Sequence, residues 1–209
     1  MIIQYRNVGE YSLVQVLKEK VKEKIYQAAV EEFYKKGFLK AKMQDIAKKA
    51  GISTGLTYSY YNNKEDLFAS IVEPIYKEIL QPLENEEGRD SEIGDPVNLF
   101  EQESAFILQL LRQKREIFLI LIDCSKGTRF EKAKEQIINV TKEHIKQQLS
   151  SRVNGQLFKI DEAFYHILAN NFIEGLLEIA RHYQGSLWAE NMLKLLTHQY
   201  FYGVSGCHR

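Results

Sequence analysis

Seven side chains between positions 42 and 64 have the chemistry to read nucleic acid: Lys42, Gln44, Thr54, Thr57, Ser59, Tyr60 and Lys64. An amide can pair with a base edge, hydroxyls serve bases and phosphates alike, and ammonium groups neutralise phosphates. Gln44, Thr54, Thr57 and Ser59 are therefore the candidate base readers. Lys42, Tyr60 and Lys64 are the candidate phosphate anchors. Lys64 is placed to open a helix, where its charge adds to the free backbone N–H groups, a ready anion site. Lys40, Lys48 and Lys49 extend the same basic footprint.

Such groups read DNA only when a rigid element holds them out. The stretch Met43 to Leu67 supplies it: two short helices around the turn Ala50-Gly51-Ile52, then a longer helix. Gly51 tolerates the positive φ that ends a helix sharply, and Ser53 can cap the next one. Ile46, Ala47, Ile52, Leu56 and Tyr58 are expected inside, with Thr54, Thr57, Ser59 and Tyr60 outside. Asn62-Asn63 ends the second helix. Glu65 and Asp66 match the dipole of the third. This is the build of a helix-turn-helix, whose second helix enters the major groove. A plain helical hairpin shares the glycine turn; the hydroxyl-rich face beyond it separates the two.

These residues resemble the TetR/AcrR family of transcription regulators. The resemblance opens with Ile25, Ala28, Ala29, Phe33 and Gly37. It continues through Asp45-Ile46-Ala47, Ala50-Gly51-Ile52-Ser53, Gly55, Tyr58, Tyr60-Tyr61, Lys64-Glu65 and Leu67. It adds Gly55 to the DNA-binding set. The segment Asp123 to Glu131 also looks like what many members carry between their sixth and seventh helices. Ala41 and Lys42 stand where members often have threonines, Tyr61 where phenylalanine is frequent, and Thr57 where an apolar residue is frequent.

With 28 basic and 28 acidic side chains the chain is neutral overall, which by itself argues against a polyanionic partner. The charge is unevenly spread, however. Residues 1–64 hold 12 Lys+Arg against 6 Asp+Glu, a net +6, and residues 65–209 hold 16 against 22, a net −6. A basic head on an acidic body suits one part meeting phosphates. No enzyme motif is present: there is no G-x-S-x-G, no phosphate-binding glycine loop and no H-E-x-x-H. Cys124, Cys207 and five scattered histidines show no zinc spacing, so no metal or cofactor is expected. Unpaired thiols, a beginning unlike a signal peptide, and a longest apolar run of only Ile117 to Ile122 suit a cytoplasmic protein without membrane contact.

The expected fold is all-α. Residues 1–14 form an arm, 15–64 the helix-turn-helix domain, and 65–209 a helical ligand-binding and dimerisation domain. Helices are expected over about 13–36, 64–83 with a kink at Pro74, 97–112, 115–125, 129–151, 161–183 and 187–202, with a polar loop at 84–96. The last two helices carry apolar stripes, Phe164, Ile167, Leu168, Phe172, Leu176 and Ile179 on one and Trp188, Met192, Leu195, Leu196, Gln199 and Tyr200 on the other. The resemblance implies that they pair with a second copy as a four-helix bundle, giving a homodimer suited to a palindromic double-stranded DNA operator. It also implies a pocket for a small-molecule effector between positions 97 and 183. Phe100, Phe118 and Phe172 are expected to line it, with Asp123, His166, Asn171 and Glu174 as its polar groups. On this reading a ligand releases a repressor from its operator. A helical interaction module without DNA binding is the rival; it explains the stripes and leaves the turn, the hydroxyl face and the charge split unexplained.

Overall fold

The computed structural model describes the backbone over residues 8–84, 96–150 and 160–206, and side chains over 15–81, 104–147 and 160–199. The described elements are all α-helical: α1 Val8–Lys40, α2 Met43–Ala50, α3 Thr54–Tyr58, α4 Lys64–Glu84, α5 Pro96–Gln113, α6 Arg115–Asp123, α7 Ala133–Ser150, α8 Glu162–Arg181 and α9 Ser186–Gly206. α1 to α4 form a helix-turn-helix bundle, and α5 to α9 form a second helical domain.

α1 begins earlier than the apolar pattern implies and reaches back into the expected arm; residues 1–7 lie outside the described residues, as do 85–95 of the expected polar loop. Gly37 interrupts α1 with φ 72 and ψ 165, a conformation open to glycine at little cost. The break turns Phe38 inward, and its N–H donates to the Cys124 carbonyl at 3.0 Å. The head is thereby bonded to the body through backbone. Pro74, where a kink or a weakened turn is expected, lies inside α4. α4 runs through it without interruption. Pro74 deprives the carbonyl of residue 70 of its helical partner, yet Ser70 and Pro74 both lie on the exposed side, where water can take that carbonyl.

The core is continuous across the two domains. Phe68 of α4 sits at its crossing point, fully buried. Its ring meets Phe33 at 5.0 Å and Phe38 at 5.2 Å edge-on, and Phe130 of the α6–α7 segment at 6.4 Å. Such edge-to-face pairs add to the large apolar area that each ring buries. In the body α7 packs on α8 and α8 on α9, around Leu111, Ile120, Leu121, Leu177 and Leu193. Asp161 caps α8 as expected, accepting from the Ala163 N–H at 2.8 Å. α4 touches α6 and α7 as well as α1, so any change in its angle is felt on both sides.

Candidate nucleic-acid interface

α2 buries Met43, Ile46, Ala47 and Ala50, the i, i+3, i+4, i+7 face of a helix. The opposite face leaves Lys42, Gln44, Lys48 and Lys49 exposed. Lys42 takes the N-cap position with extended backbone and no side-chain cap. An ammonium has no acceptor and so could not serve as that cap; its charge helps to lower the Asp45 carboxyl. Gly51 closes the helix in the left-handed region at φ 71, its N–H reaching the Ala47 and Lys48 carbonyls.

Ser53 then starts α3. Its Oγ accepts from the Leu56 N–H at 3.2 Å, which satisfies one of the donors a helix start leaves open. α3 is five residues long, and Ser59 closes it by donating Oγ–H to the Leu56 carbonyl at 2.7 Å. Asn63 caps α4, accepting from the Asp66 N–H at 2.8 Å.

The rotation of α3 differs from the sequence expectation. Thr57 is fully buried, whereas Leu56 and Tyr58 are 40% and 49% exposed. The cap fixes this phase. With Ser53 at the N-cap, position 52 lies just before it and position 57 four residues into the helix, the pair that packs together at helix starts. The Thr57 hydroxyl is held by the Ser53 carbonyl at 3.4 Å. A side chain with no exposed surface cannot meet a base edge, so Thr57 leaves the set of base readers. That position is one where relatives often carry an apolar residue, a signal that pointed inward. Thr54 and Tyr60 are half-buried, and Gly55 and Ser59 are exposed.

Lys64 is turned inward as well. Its ammonium donates to the Phe38 carbonyl at 2.7 Å and the Ala41 carbonyl at 3.0 Å, and it lies 4.3 Å from the centre of the Phe38 ring. Burial lowers its pKa below the ordinary lysine value. Those contacts tie the start of α4 to the link between α1 and α2 and direct the charge away from solvent. Lys36 does similar work from α1, bonding Glu32 and, at 3.0 Å, Asp45 of α2. That ammonium holds the Asp45 carboxyl below its usual range. Lys49 pairs with Glu31 at 2.7 Å. The outward basic charge of the α2 face thus rests chiefly on Lys42 and Lys48.

The residues expected around an effector are buried, ion-paired or exposed one by one. Phe118 is buried in the core. Asp123 makes a two-point ion pair with Arg181 at 2.7 and 3.1 Å. His166 and Asn171 are exposed, and Phe172 is half-buried. Glu174 is ion-paired with Lys134, a partner from a distant helix that sequence could not supply. The Phe100 side chain lies outside those described. A cavity of about 420 Å³ does lie along α4, lined by Glu73, Tyr76, Lys77, Leu80, Arg129 and Phe130 among others, and it includes none of the expected residues. Among the described residues no group of three His, Cys, Asp or Glu side chains could hold a metal, and no helix is long and apolar enough to cross a membrane.

Known proteins share this design. Residues 25–71 match the model of bacterial regulatory proteins of the tetR family. The HTH-type transcriptional regulator YvdT of Bacillus subtilis is 30% identical over 114 residues, 54% of this chain and 56% of that protein. The chain thus spans about half the length of this curated relative. The fold is similar to that of a TetR-like regulator from Rhodococcus sp. RHA1, with a TM-score of 0.65 at 21% identity over 89% of this chain and 96% of that one. It is also similar to NalD of Pseudomonas aeruginosa, described as the secondary repressor of the MexAB-OprM multidrug efflux pump, with a TM-score of 0.61 at 24% identity over 88% and 96%. Residues 25–71 are thus a DNA-binding domain of the tetR type, and the all-helical fold around it is similar to that of solved TetR-family regulators.

Proposed function

We infer that this protein is a sequence-specific DNA-binding regulator, a repressor released from a palindromic operator by a small molecule. The observation that carries the reading is the capped α2–turn–α3 unit with its exposed outer side: Lys42, Gln44 and Lys48 on α2, and Gly55 and Ser59 beside half-buried Thr54 and Tyr60 on α3. Gln44, Thr54 and Ser59 are the base-contact candidates. Lys42, Lys48 and Tyr60 are the phosphate candidates. Residues 15–64 form the DNA head and 65–209 the body.

A helix of five residues reaches few bases, so specificity calls for two copies. α8 and α9 leave Phe164, Ile167, Leu187 and Leu195 between 38% and 72% exposed. Large apolar side chains exposed along two adjacent helices suit a self-complementary interface. A dimer through α8 and α9 sets two recognition helices about 34 Å apart, one turn of DNA. Effector control acts through α4, which opens at the head and forms one wall of the 420 Å³ cavity in the body. A ligand shifts the balance only by its difference in affinity for the two head arrangements.

Selection of binding sites from a random duplex pool tests the reading. A palindrome with half-sites one turn apart is the expected product. Lys42→Ala should then lower affinity for every duplex and flatten the salt dependence by about one unit. A folded protein that enriches no sequence at low salt leaves the helical interaction module as the better account.

A further inference from the structure

The outer side of α3 carries apolar surface beside its hydroxyl groups. Successive residues of a helix are rotated by about 100°, so Gly55 and Ser59 lie opposite buried Thr57, with Leu56 and Tyr58 on the two flanks. Gly55 has no side chain, and a Cβ there would meet nothing within 4 Å, so backbone can approach a groove closely. The Ser59 hydroxyl proton is given to the Leu56 carbonyl. Two flanking side chains stand out, Tyr58 at 49% and Leu56 at 40% exposed; Leu56 is the wholly apolar one, its own N–H taken by the Ser53 cap. In the major groove the matching apolar feature is the 5-methyl group of thymine, which no other base presents.

We propose that Leu56 packs against a thymine 5-methyl group in each operator half-site, so that part of the sequence choice made by this protein is methyl recognition. The inference rests on the regulator reading above and adds to it the identity of one contacted group. It also assigns a role to an exposed leucine in a helix whose Thr57 is buried and whose Ser59 hydroxyl is internally bonded. A leucine offers no donor or acceptor, so its contribution is to favour thymine over cytosine at that step.

The probe is the duplex recovered by selection, with each thymine replaced in turn by deoxyuridine, which removes the methyl group and keeps every hydrogen-bonding atom. At one thymine or more per half-site the wild-type protein should lose about fourfold in affinity, the equilibrium equivalent of one buried methyl-sized group. Leu56→Ala, a surface change with its helix content checked by circular dichroism, should bind the thymine duplex more weakly by a similar factor and no longer distinguish uracil from thymine. Specific binding without a methyl-sensitive thymine overturns the inference and leaves the regulator reading standing. Methyl sensitivity that persists in Leu56→Ala also overturns it, since another side chain then makes the contact. Failure to select any duplex removes both.

Discussion

The head and the body of this molecule are held by different kinds of interaction. In the head, the turns around α2 and α3 are fixed within a few residues: Gly51 closes α2, Ser53 opens α3, Asn63 opens α4. In the body, the fixing contacts join residues far apart in the chain. Lys134 meets Glu174, Arg181 meets Asp123, and Arg115 donates to the Ala180 carbonyl at 3.2 Å. Local signals constrain sequence tightly and make a recognisable motif. Long-range pairs can be exchanged for others, so the body is free to vary while its helices persist. The two regimes meet at Phe68, Phe130, Cys124 and Gly127, and the sharpest tests of the contrast lie there.

Phe68→Ala should have the largest effect. It removes the ring shared by both cores, and large-to-small changes at such sites cost about 3–5 kcal/mol. Urea denaturation followed by probes in the head and in the body should show both transitions moving together. A loss confined to the head would make the halves thermodynamically independent and would break the picture of one continuous core.

Lys64→Met comes next. It keeps much of the apolar stem while removing the donors to the Phe38 and Ala41 carbonyls. Leaving such acceptors unmatched costs about 1–3 kcal/mol. Operator binding should keep its wild-type salt slope, because the ammonium faces inward. A slope flattened by about one unit would return Lys64 to the phosphate set that its position in the sequence suggests.

That reversal marks what the sequence could carry. The Ser53 and Asp161 caps and the glycine turn were legible, because each depends on neighbours within one helical turn. Asn62-Asn63 is expected to end α3, which instead ends at Tyr58, and Asn63 caps α4. Thr57 and Lys64 were misassigned for opposite reasons. Thr57 is a polar residue in an apolar position, and the phase set by Ser53 turns it inward. Lys64 is inward because Phe38 and Ala41, far back in the chain, present their carbonyls to it. Two of the expected effector residues show the same limit: Glu174 and Asp123 look like unpartnered acids until Lys134 and Arg181 arrive from other segments. Helical periodicity identifies a buried face; it does not say which distant cation lies across from it.

Gly127→Ala tests the junction with a smaller expected effect. Gly127 has φ +84, and an added Cβ would lie 2.6 Å from Leu39 Cδ2. The left-handed conformation costs a residue with a Cβ about 1–2 kcal/mol. Leu39 is 60% exposed and can swing away, so little is added by the contact itself. The loss should appear in the unfolding free energy, with hydrogen exchange at the Phe38 amide, bonded to Cys124 in the same segment, increasing more than exchange elsewhere in α1. Uniform loosening of all the described helices would mean that this segment is not where the head is latched.

The smallest effect tests the head on its own. Lys36 holds the Asp45 carboxyl below its ordinary value of 3.8, chiefly by the hydrogen bond and then by charge. In the unfolded chain that carboxyl titrates near its ordinary value. Folding is therefore favoured by the ionised form: the contribution is complete above about pH 5 and is lost as pH falls through the lowered folded value. Because the pair is exposed to solvent, the stability at stake is slight, and the titration itself is the better readout. The Asp45 carboxyl resonance should show a midpoint below 3.8, and Lys36→Met should bring it back towards that value. A midpoint unmoved by Lys36→Met would mean that the α1–α2 angle is set by the buried face of α2 alone, and that the charged pair merely decorates a head already fixed by Met43, Ile46 and Ala50.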